Sequence, residues 1–288
     1  MDQVLLSANR ANFDQCLKLA LQYNLGMELM AFAFPQVLDS EWRELLAEYQ
    51  EWLRPVRGPI TMHGPFLDMA PGSPDKRINE ICKARFKHGI HIASQLGAQK
   101  IIFHANFIAA IHNTEYRVGW HQRNLGFWRE MADYAAEHQI VIAIENMWEF
   151  DPYIIGDLLA EIDHPHLRAC IDIGHAHLFS IQQDPDLTFE DWIRMLEPFL
   201  VHLHMNNNDG KLDVHRGLPD GVLNYTELLR RIRQLRQQPT MTLEMDHVED
   251  MRISLSYFNL STPTGHLRQR MFAGYNDTLN GDDAGGRR

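Results

Sequence analysis

Short apolar runs alternate with longer amphipathic stretches along most of the chain. Val4-Leu5-Leu6 is the first run and stops at Ser7. Phe13 to Tyr23 carries apolar residues at helical spacing, with Asn12 as the expected N-cap and Gly26 as the stop. Met27 to Phe34 is a second run, interrupted by Glu28, a charge that in a strand is either rim-facing or functional. Asp39 is expected to cap a helix from Ser40 to about Leu53, which Pro55 ends. Ile60 to His63 predicts the third strand, turned by Gly64-Pro65 into a loop over 66–74. Asp75 opens a long helix to about Leu96, with Gly97 as its stop. Lys100 to His104 predicts strand four, and an irregular segment to Tyr116 follows, in which His112 is a loop histidine. A helix over Gly119 to His138 leads to strand five, Ile140 to Asn146. A short helix, Ile154 to Ile162, precedes strand six, Arg168 to Asp172. Thr188 caps a helix to about Glu197, and strand seven starts near Leu200. His202 and His204 alternate out of that run, so both side chains leave one face. Tyr225 to Leu235 predicts a helix, Thr240 to Glu244 strand eight, and Val248 to Phe258 a last helix.

This alternation predicts an α/β chain of parallel strand–helix–strand units. An open doubly wound sheet usually carries a phosphate loop after its first strand, and neither GxGxxG nor GxxxxGK[ST] occurs here. A closed (β/α)8 barrel is expected instead. Its active site would lie at the C-terminal strand ends, and only closure brings strands three to eight round one centre. The 288 residues suit one such barrel, which needs about 250. One domain is expected over 1–261. The tail 262–288, rich in Gly, Asn, Asp and Arg, is expected to be mobile.

Composition narrows the picture. No apolar run reaches the roughly 18 residues of a membrane span. MDQVLLSANRANF lacks a basic region followed by an apolar core, so no signal peptide is expected. Cys16, Cys82 and Cys170 are scattered, without CxxC, and read as buried thiols in a reducing cytoplasm. The net charge of −11 disfavours nucleic acid as a partner at long range. Sixteen histidines are many for this length and hint at metal.

Donor-type side chains close the predicted strands: His63, His104, Glu145, Asp172 with His175 beyond it, His204 followed by Asp213 and His215, and Glu244. On an extended segment the Asp213-x-His215 spacing lets both side chains point at one place. Each residue alone has an ordinary explanation: a hydrogen-bonded strand-end histidine, a salt-bridged Glu145, a helix-capping Asp172. Four carboxylates and five imidazoles at one barrel mouth would be costly without cations. Divalent ions relieve that cost, and nitrogen and oxygen donors suit zinc, manganese or iron. Nine donors exceed the needs of one ion, whereas two or three ions sharing carboxylates would use them all. A purely structural zinc is usually closed by four ligands on short local spacing, unlike this spread. Trp120, Phe127 and Trp128 fall in a predicted helix and read as core, and Trp148, after a strand end, as a wall of the substrate pocket.

The motifs carry a family resemblance. They are His63-Gly64-Pro65 with Gly72-Ser73-Pro74-Asp75, Leu96-Gly97-Ala98 leading to Phe103-His104, Ile144-Glu145-Asn146, Asp172-Ile173-Gly174-His175, His204 through Asp213-Val214-His215, and Thr242-Leu243-Glu244. They span about residues 1–250. On them the chain resembles the xylose isomerase-like TIM barrel superfamily, which includes endonuclease IV and the sugar (phosphate) isomerase/epimerase group. In the isomerase/epimerase branch the resemblance implies one metal, often manganese, on Glu145, Asp172, His204 and Glu244. Glu145 and Glu244 would also move a proton on and off a carbon beside a carbonyl, and His175 and Arg216 would hold substrate oxygens. In the endonuclease IV branch it implies three zinc ions. His63, His104 and Glu145 hold one; Glu145, Asp172, His204 and Glu244 the second; His175, Asp213 and His215 the third. The reaction there is phosphodiester hydrolysis.

Several features weigh between the branches. The loops Ser7 to Asn12 and Phe32 to Asp39 carry almost no Lys or Arg, against DNA binding. Glu28 in GMELM resembles the isomerase/epimerase branch. Phe66 matches a position where endonuclease IV presents an aromatic to DNA, and lines a sugar pocket equally well. The usual His-x-x-Asp reads His204-Met205-Asn206-Asn207, so Asn207 stands where a charged residue would support the metal ligands. The resemblance thus implies a cytoplasmic, divalent-metal-dependent isomerase or epimerase, using manganese or zinc and acting on a small sugar or sugar phosphate. A trinuclear zinc phosphoesterase is the alternative. The oligomeric state stays open, a homo-oligomer included.

Overall fold

Each apolar run becomes a strand of one parallel sheet. In this computed structural model, which describes residues 2–258 and 260, the strands are β1 (Val4–Ala8), β2 (Gly26–Leu29), β3 (Ile60–His63), β4 (Lys100–His104), β5 (Val141–Glu145), β6 (Leu167–Asp172), β7 (Leu200–Met205) and β8 (Thr240–Leu243). Every strand pairs with its successor, and β1 pairs with β8, so the sheet closes as the expected (β/α)8 TIM barrel.

Period two divides the strands into two faces. Outward residues such as Met27, Met62, Ile101, Ile142, Ile171, Leu203 and Met241 are buried in one continuous apolar layer with the helices. The inward face is largely polar. Register aligns Glu28 with Thr61, His104 with Glu145, Cys170 with His202 and then Thr240, and Asp172 with His204 and then Thr242. The main core therefore lies between barrel and helices, while the lumen is free to carry chemistry.

The helices are α1 (Phe13–Tyr23), α2 (Trp42–Trp52), α3 (Lys76–Gln95), α4 (Thr114–Glu137), α5 (Tyr153–Ile162), α6 (Ile173–Ala176), α7 (Phe189–Leu196), α8 (Tyr225–Ile232) and α9 (Val248–Ser254). Asp75 caps α3 by accepting from Arg77 N–H, and Thr188 forms a reciprocal capping box with Asp191. Both capping expectations hold. Asn12 does not cap α1, because its side chain accepts from Asn9 N–H instead. That helix ends at Asn24, in the left-handed conformation (φ 55°), and Gly26 starts the next strand. The run Met27 to Phe34 is a four-residue strand and then a 3-10 turn, Ala31–Ala33. Asp39 lies inside a π-type turn, Val37–Glu41, that precedes α2. α4 begins five residues before Gly119, because Asn113 caps it by accepting from Tyr116 N–H. Trp120, Phe127 and Trp128 are buried as expected, and all three cysteines are buried and free. The tail 262–288 lies outside the described residues. Among the described residues no helix is long and apolar enough to cross a membrane.

Candidate metal centre at the barrel mouth

All nine predicted donors converge at the C-terminal ends of the strands, in three groups, two of which share Glu145. His63, His104 and Glu145 form one; Glu145, Asp172, His204 and Glu244 the second; His175, Asp213 and His215 the third. Within each group the ligand atoms lie within 4.8 Å of one another.

The strands place these groups. His63, His104, Glu145 and Asp172 are the last residues of β3, β4, β5 and β6, and Glu244 follows β8 directly. After Asp172 the chain turns at once into α6, with Asp172 Oδ1 accepting from His175 N–H at 2.7 Å. This one turn, unmarked by the apolar pattern, folds His175 back to the mouth. It needs glycine at 174, where a Cβ would meet Asn206 Oδ1 at 2.0 Å. Asp213 and His215 come from the longer loop after β7 and are partly exposed.

The hydrogen bonds around the imidazoles decide which nitrogens are free. His63 Nδ1 lies 2.8 Å from Gly64 O, and His175 Nδ1 lies 3.1 Å from Asn146 O. A carbonyl only accepts, so each Nδ1 carries a proton and each neutral ring turns its Nε2 lone pair inward. Those lone pairs face carboxylates: His63 Nε2 stands 3.5 Å from Glu145 Oε2, and His175 Nε2 stands 3.3 Å from Asp213 Oδ2. His204 Nδ1 stands 2.9 Å from both Glu145 Oε1 and Glu244 Oε2. Glu145 Oε2, His175 Nε2 and Glu244 Oε2 are buried without a hydrogen-bond partner. Neutral lone pairs facing carboxylate oxygens repel, and either a proton or a cation between them removes the repulsion. The donors therefore fit divalent metal by number, type and orientation.

Without a cation, protons take that role. Burial opposes charge on His204, but Glu145 and Glu244 hold its pKa well above the usual value. Burial likewise opposes charge on His175, yet Asp172 and Asp213 push it up to about 10. His215 rises to about 9 against its burial, chiefly through Asp213. Asp172 moves up to about 6, through burial and then the charges of Glu145 and Glu244, with His175 opposing. Against burial, His204 brings Glu244 down to about 2.

Several supports were not visible in the sequence. Asn146 brackets β6 by accepting from Asp172 N–H at 2.9 Å and donating to Asp172 O at 3.0 Å. Asn206 Nδ2 donates to Asp172 Oδ2 at 2.8 Å, so the asparagine that supports a ligand is Asn206. Asn207 instead pins the β7–α8 loop, donating to Leu218 O and Leu223 O. Buried Glu149 ties two mouth loops by accepting from Phe107 and Met147 N–H. Glu28, flagged as a charge in a strand, is wholly buried beneath His204, and His202 lies beside it.

The expected substrate residues are dispersed. Phe66 packs edge-on against His63, with ring centres 5.2 Å apart, and also touches His104 and Phe34. Trp148 is 46% exposed in the loop after β5. Arg216 pairs its backbone with Asn207 and reaches only distantly towards Asp209 and Asp220. His112 stacks on Phe150. A further group of metal-type residues, Cys170, His202 and His204, lies within the barrel. It is poorly suited to metal, since both nitrogens of His202 are already engaged and burial pushes the Cys170 thiol pKa up.

A closed parallel barrel with clustered carboxylate and imidazole donors at its C-terminal mouth defines a (β/α)8 protein with a candidate divalent-metal site. The chain belongs to the xylose isomerase-like TIM barrel family, whose profile matches residues 19–261. The TTHB071 protein from Thermus thermophilus, in crystals soaked with zinc chloride, is 26% identical. That alignment covers 89% of this chain and 96% of the other, with a TM-score of 0.74. A D-tagatose 3-epimerase-like protein has the same fold, with 19% identity over 88% and 96% of the two chains and a TM-score of 0.74. The uncharacterized protein MJ1311 of Methanocaldococcus jannaschii is 23% identical over 197 residues, covering 66% of each chain.

Proposed function

We propose that the barrel is a divalent-metal-dependent isomerase or epimerase of a sugar or sugar phosphate, working by proton transfer beside a carbonyl. The observation that carries this reading is the placement of Glu145 and Glu244. Both approach His204 Nδ1 at 2.9 Å, from β5 and from the end of β8, and their ligand atoms form one group with Asp172. Glu145, Asp172, His204 and Glu244 would hold a divalent ion, which would supply the Lewis acidity that polarises substrate oxygens and acidifies the adjacent C–H. Glu145 and Glu244 are the base and the acid: one removes the proton from carbon and the other returns one. His175 and Arg216 orient substrate oxygens, and Phe66 and Trp148 wall the pocket.

A second reading rests on a separate observation. The donor groups at His63/His104 and at His175/Asp213/His215 add room for two further ions, as a trinuclear zinc phosphoesterase would require. The mouth argues against DNA as its substrate. Arg10 is paired with Glu41, Arg117 with Asp151, and the half-exposed Arg216 is flanked by two aspartates. Backbone binding needs several free cations.

Metal content, by elemental analysis of protein purified without chelators, separates the readings. About one ion per chain with deuterium exchange into a ketose supports the isomerase or epimerase. Two or three zinc ions, no exchange, and hydrolysis of a phosphodiester overturn it in favour of the hydrolase. Full activity after exhaustive chelation overturns both.

A further inference from the structure

Below the mouth, a continuous line of buried polar groups descends the barrel lumen. Lys100 Nζ, at the start of β4, donates to Thr240 Oγ1 at 3.1 Å. Thr240 Oγ1 lies 2.5 Å from His202 Nδ1, and His202 Nε2 lies 2.9 Å from Glu28 Oε2. The hydroxyls of Thr61 and Thr242 donate to the same oxygen, at 2.7 and 3.1 Å. Glu28 Oε1 then lies 2.8 Å from His204 Nε2, an ion-pair contact, and neither of these buried atoms has a hydrogen-bond partner. Glu28, His202 and His204 are all 0% exposed.

Donor and acceptor counting gives this line a direction. An ionised carboxylate only accepts, so His202 Nε2 carries the ring proton facing Glu28. His202 Nδ1 then accepts, and the Thr240 hydroxyl donates to it, in preference to the more distant Val201 O at 3.3 Å. With three donors satisfying Oε2, Oε1 is left for His204 alone. A bare Nε2 lone pair 2.8 Å from carboxylate oxygen would be repelled, so His204 keeps a proton on Nε2 whether or not Nδ1, facing Glu145 and Glu244, also carries one. Nδ1 is thereby the nitrogen whose proton a metal ion at Glu145, Asp172 and Glu244 would displace.

We infer that Glu28 is a positioning residue that sets the His204 tautomer for metal binding through Nδ1, and that the line from Lys100 through Thr240 and His202 holds Glu28 in place. This rests on the metal-centre reading above and adds to it the residue that selects the ligating nitrogen. A carboxylate behind a metal-bound histidine fixes ring orientation, and its loss typically costs about 10–100-fold in metal affinity.

The test is the metal affinity of full-length wild type, Glu28→Gln and Thr242→Val, by titrating cobalt(II) into metal-free protein against a competing chelator. The cobalt absorption spectrum and thermal unfolding of the metal-free proteins are read alongside. Glu28→Gln is expected to bind about 10–100-fold more weakly with an altered spectrum. Thr242→Val removes one donor to Glu28 and is the milder variant; a smaller loss in the same direction is expected. Should Glu28→Gln fail to fold, Thr242→Val decides, and wild-type affinity in it overturns the inference. Unchanged affinity and spectrum in a folded Glu28→Gln overturn the inference while leaving the metal centre standing. A variant that is merely less stable, with wild-type affinity and spectrum, also overturns it. A wild type that binds no cobalt overturns the metal-centre reading and this inference together. Because binding is read directly, the absence of epimerase turnover leaves the outcome intact.

Discussion

The two faces of the same strands obey opposite rules. On β7, Leu203 points outward into the apolar layer with the helices, while its neighbours His202 and His204 point into the lumen among Glu28, Glu145 and Glu244. The outward face is satisfied by any well-packed apolar side chain. The inward face holds charges that are tolerable only because each has a designated opposite. One residue of register would exchange the two sets, so the alternation makes the register stringent. Stability is therefore concentrated on one face and chemistry on the other, and substitutions can separate them.

The largest expected effect is on the inner face. Replacing Glu145 or Glu244 with Gln is expected to lower turnover by about 10²–10⁴-fold, the usual contribution of a positioned acid or base. Hydrogen–deuterium exchange beside the substrate carbonyl reads this, and unchanged exchange would remove both residues from the acid–base role. Next is Leu203→Ala on the outer face. Loss of a fully buried leucine should cost about 2–5 kcal/mol in denaturant unfolding, with turnover per folded molecule nearly unchanged. An equal loss of turnover would show that the faces are not separable.

A smaller effect concerns the rim of the inner face, where buried His175 and partly exposed His215 flank Asp213. His175 and His215 have pKa values of about 10 and 9, above the ordinary histidine value near 6.5. A raised folded-state pKa stabilises fully below the unfolded value and loses that contribution as pH rises through the folded value. Chelated protein should thus lose thermal stability between about pH 6.5 and 10, and Asp213→Asn should flatten the slope. A flat profile in the wild type would contradict the pairing of Asp213 with the two histidines. The smallest effect is expected for Trp148→Ala, a few-fold rise in KM with kcat retained, in steady-state kinetics. A selective fall in kcat would move Trp148 from pocket wall to reacting centre.

Much of this molecule was legible in its residues. Apolar runs of strand length separated by helical periodicity specify parallel units, and the donors closing those runs locate the mouth. Asp75 and Thr188 signal helix starts because local side-chain caps act within a few residues. Asn12 failed as a cap because Asn9 N–H competes for its oxygen, a choice within one turn that spacing does not reveal. The α6 turn has no apolar repeat and showed only in Asp172 as a possible helix cap, which it is; Gly174 is needed because Asn206 passes there, a contact that spacing does not reveal.

The sequence alone thus determined which side chains are donors, their alternation on each strand, and the strand ends where they gather. Only the closed barrel decided which donors share an oxygen. Glu28 and His202 are 174 residues apart, and Glu28 meets His204 only when β2 and β7 face one lumen. Periodicity assigns a face to each residue locally, whereas the tautomer of a buried histidine depends on partners that chain closure supplies.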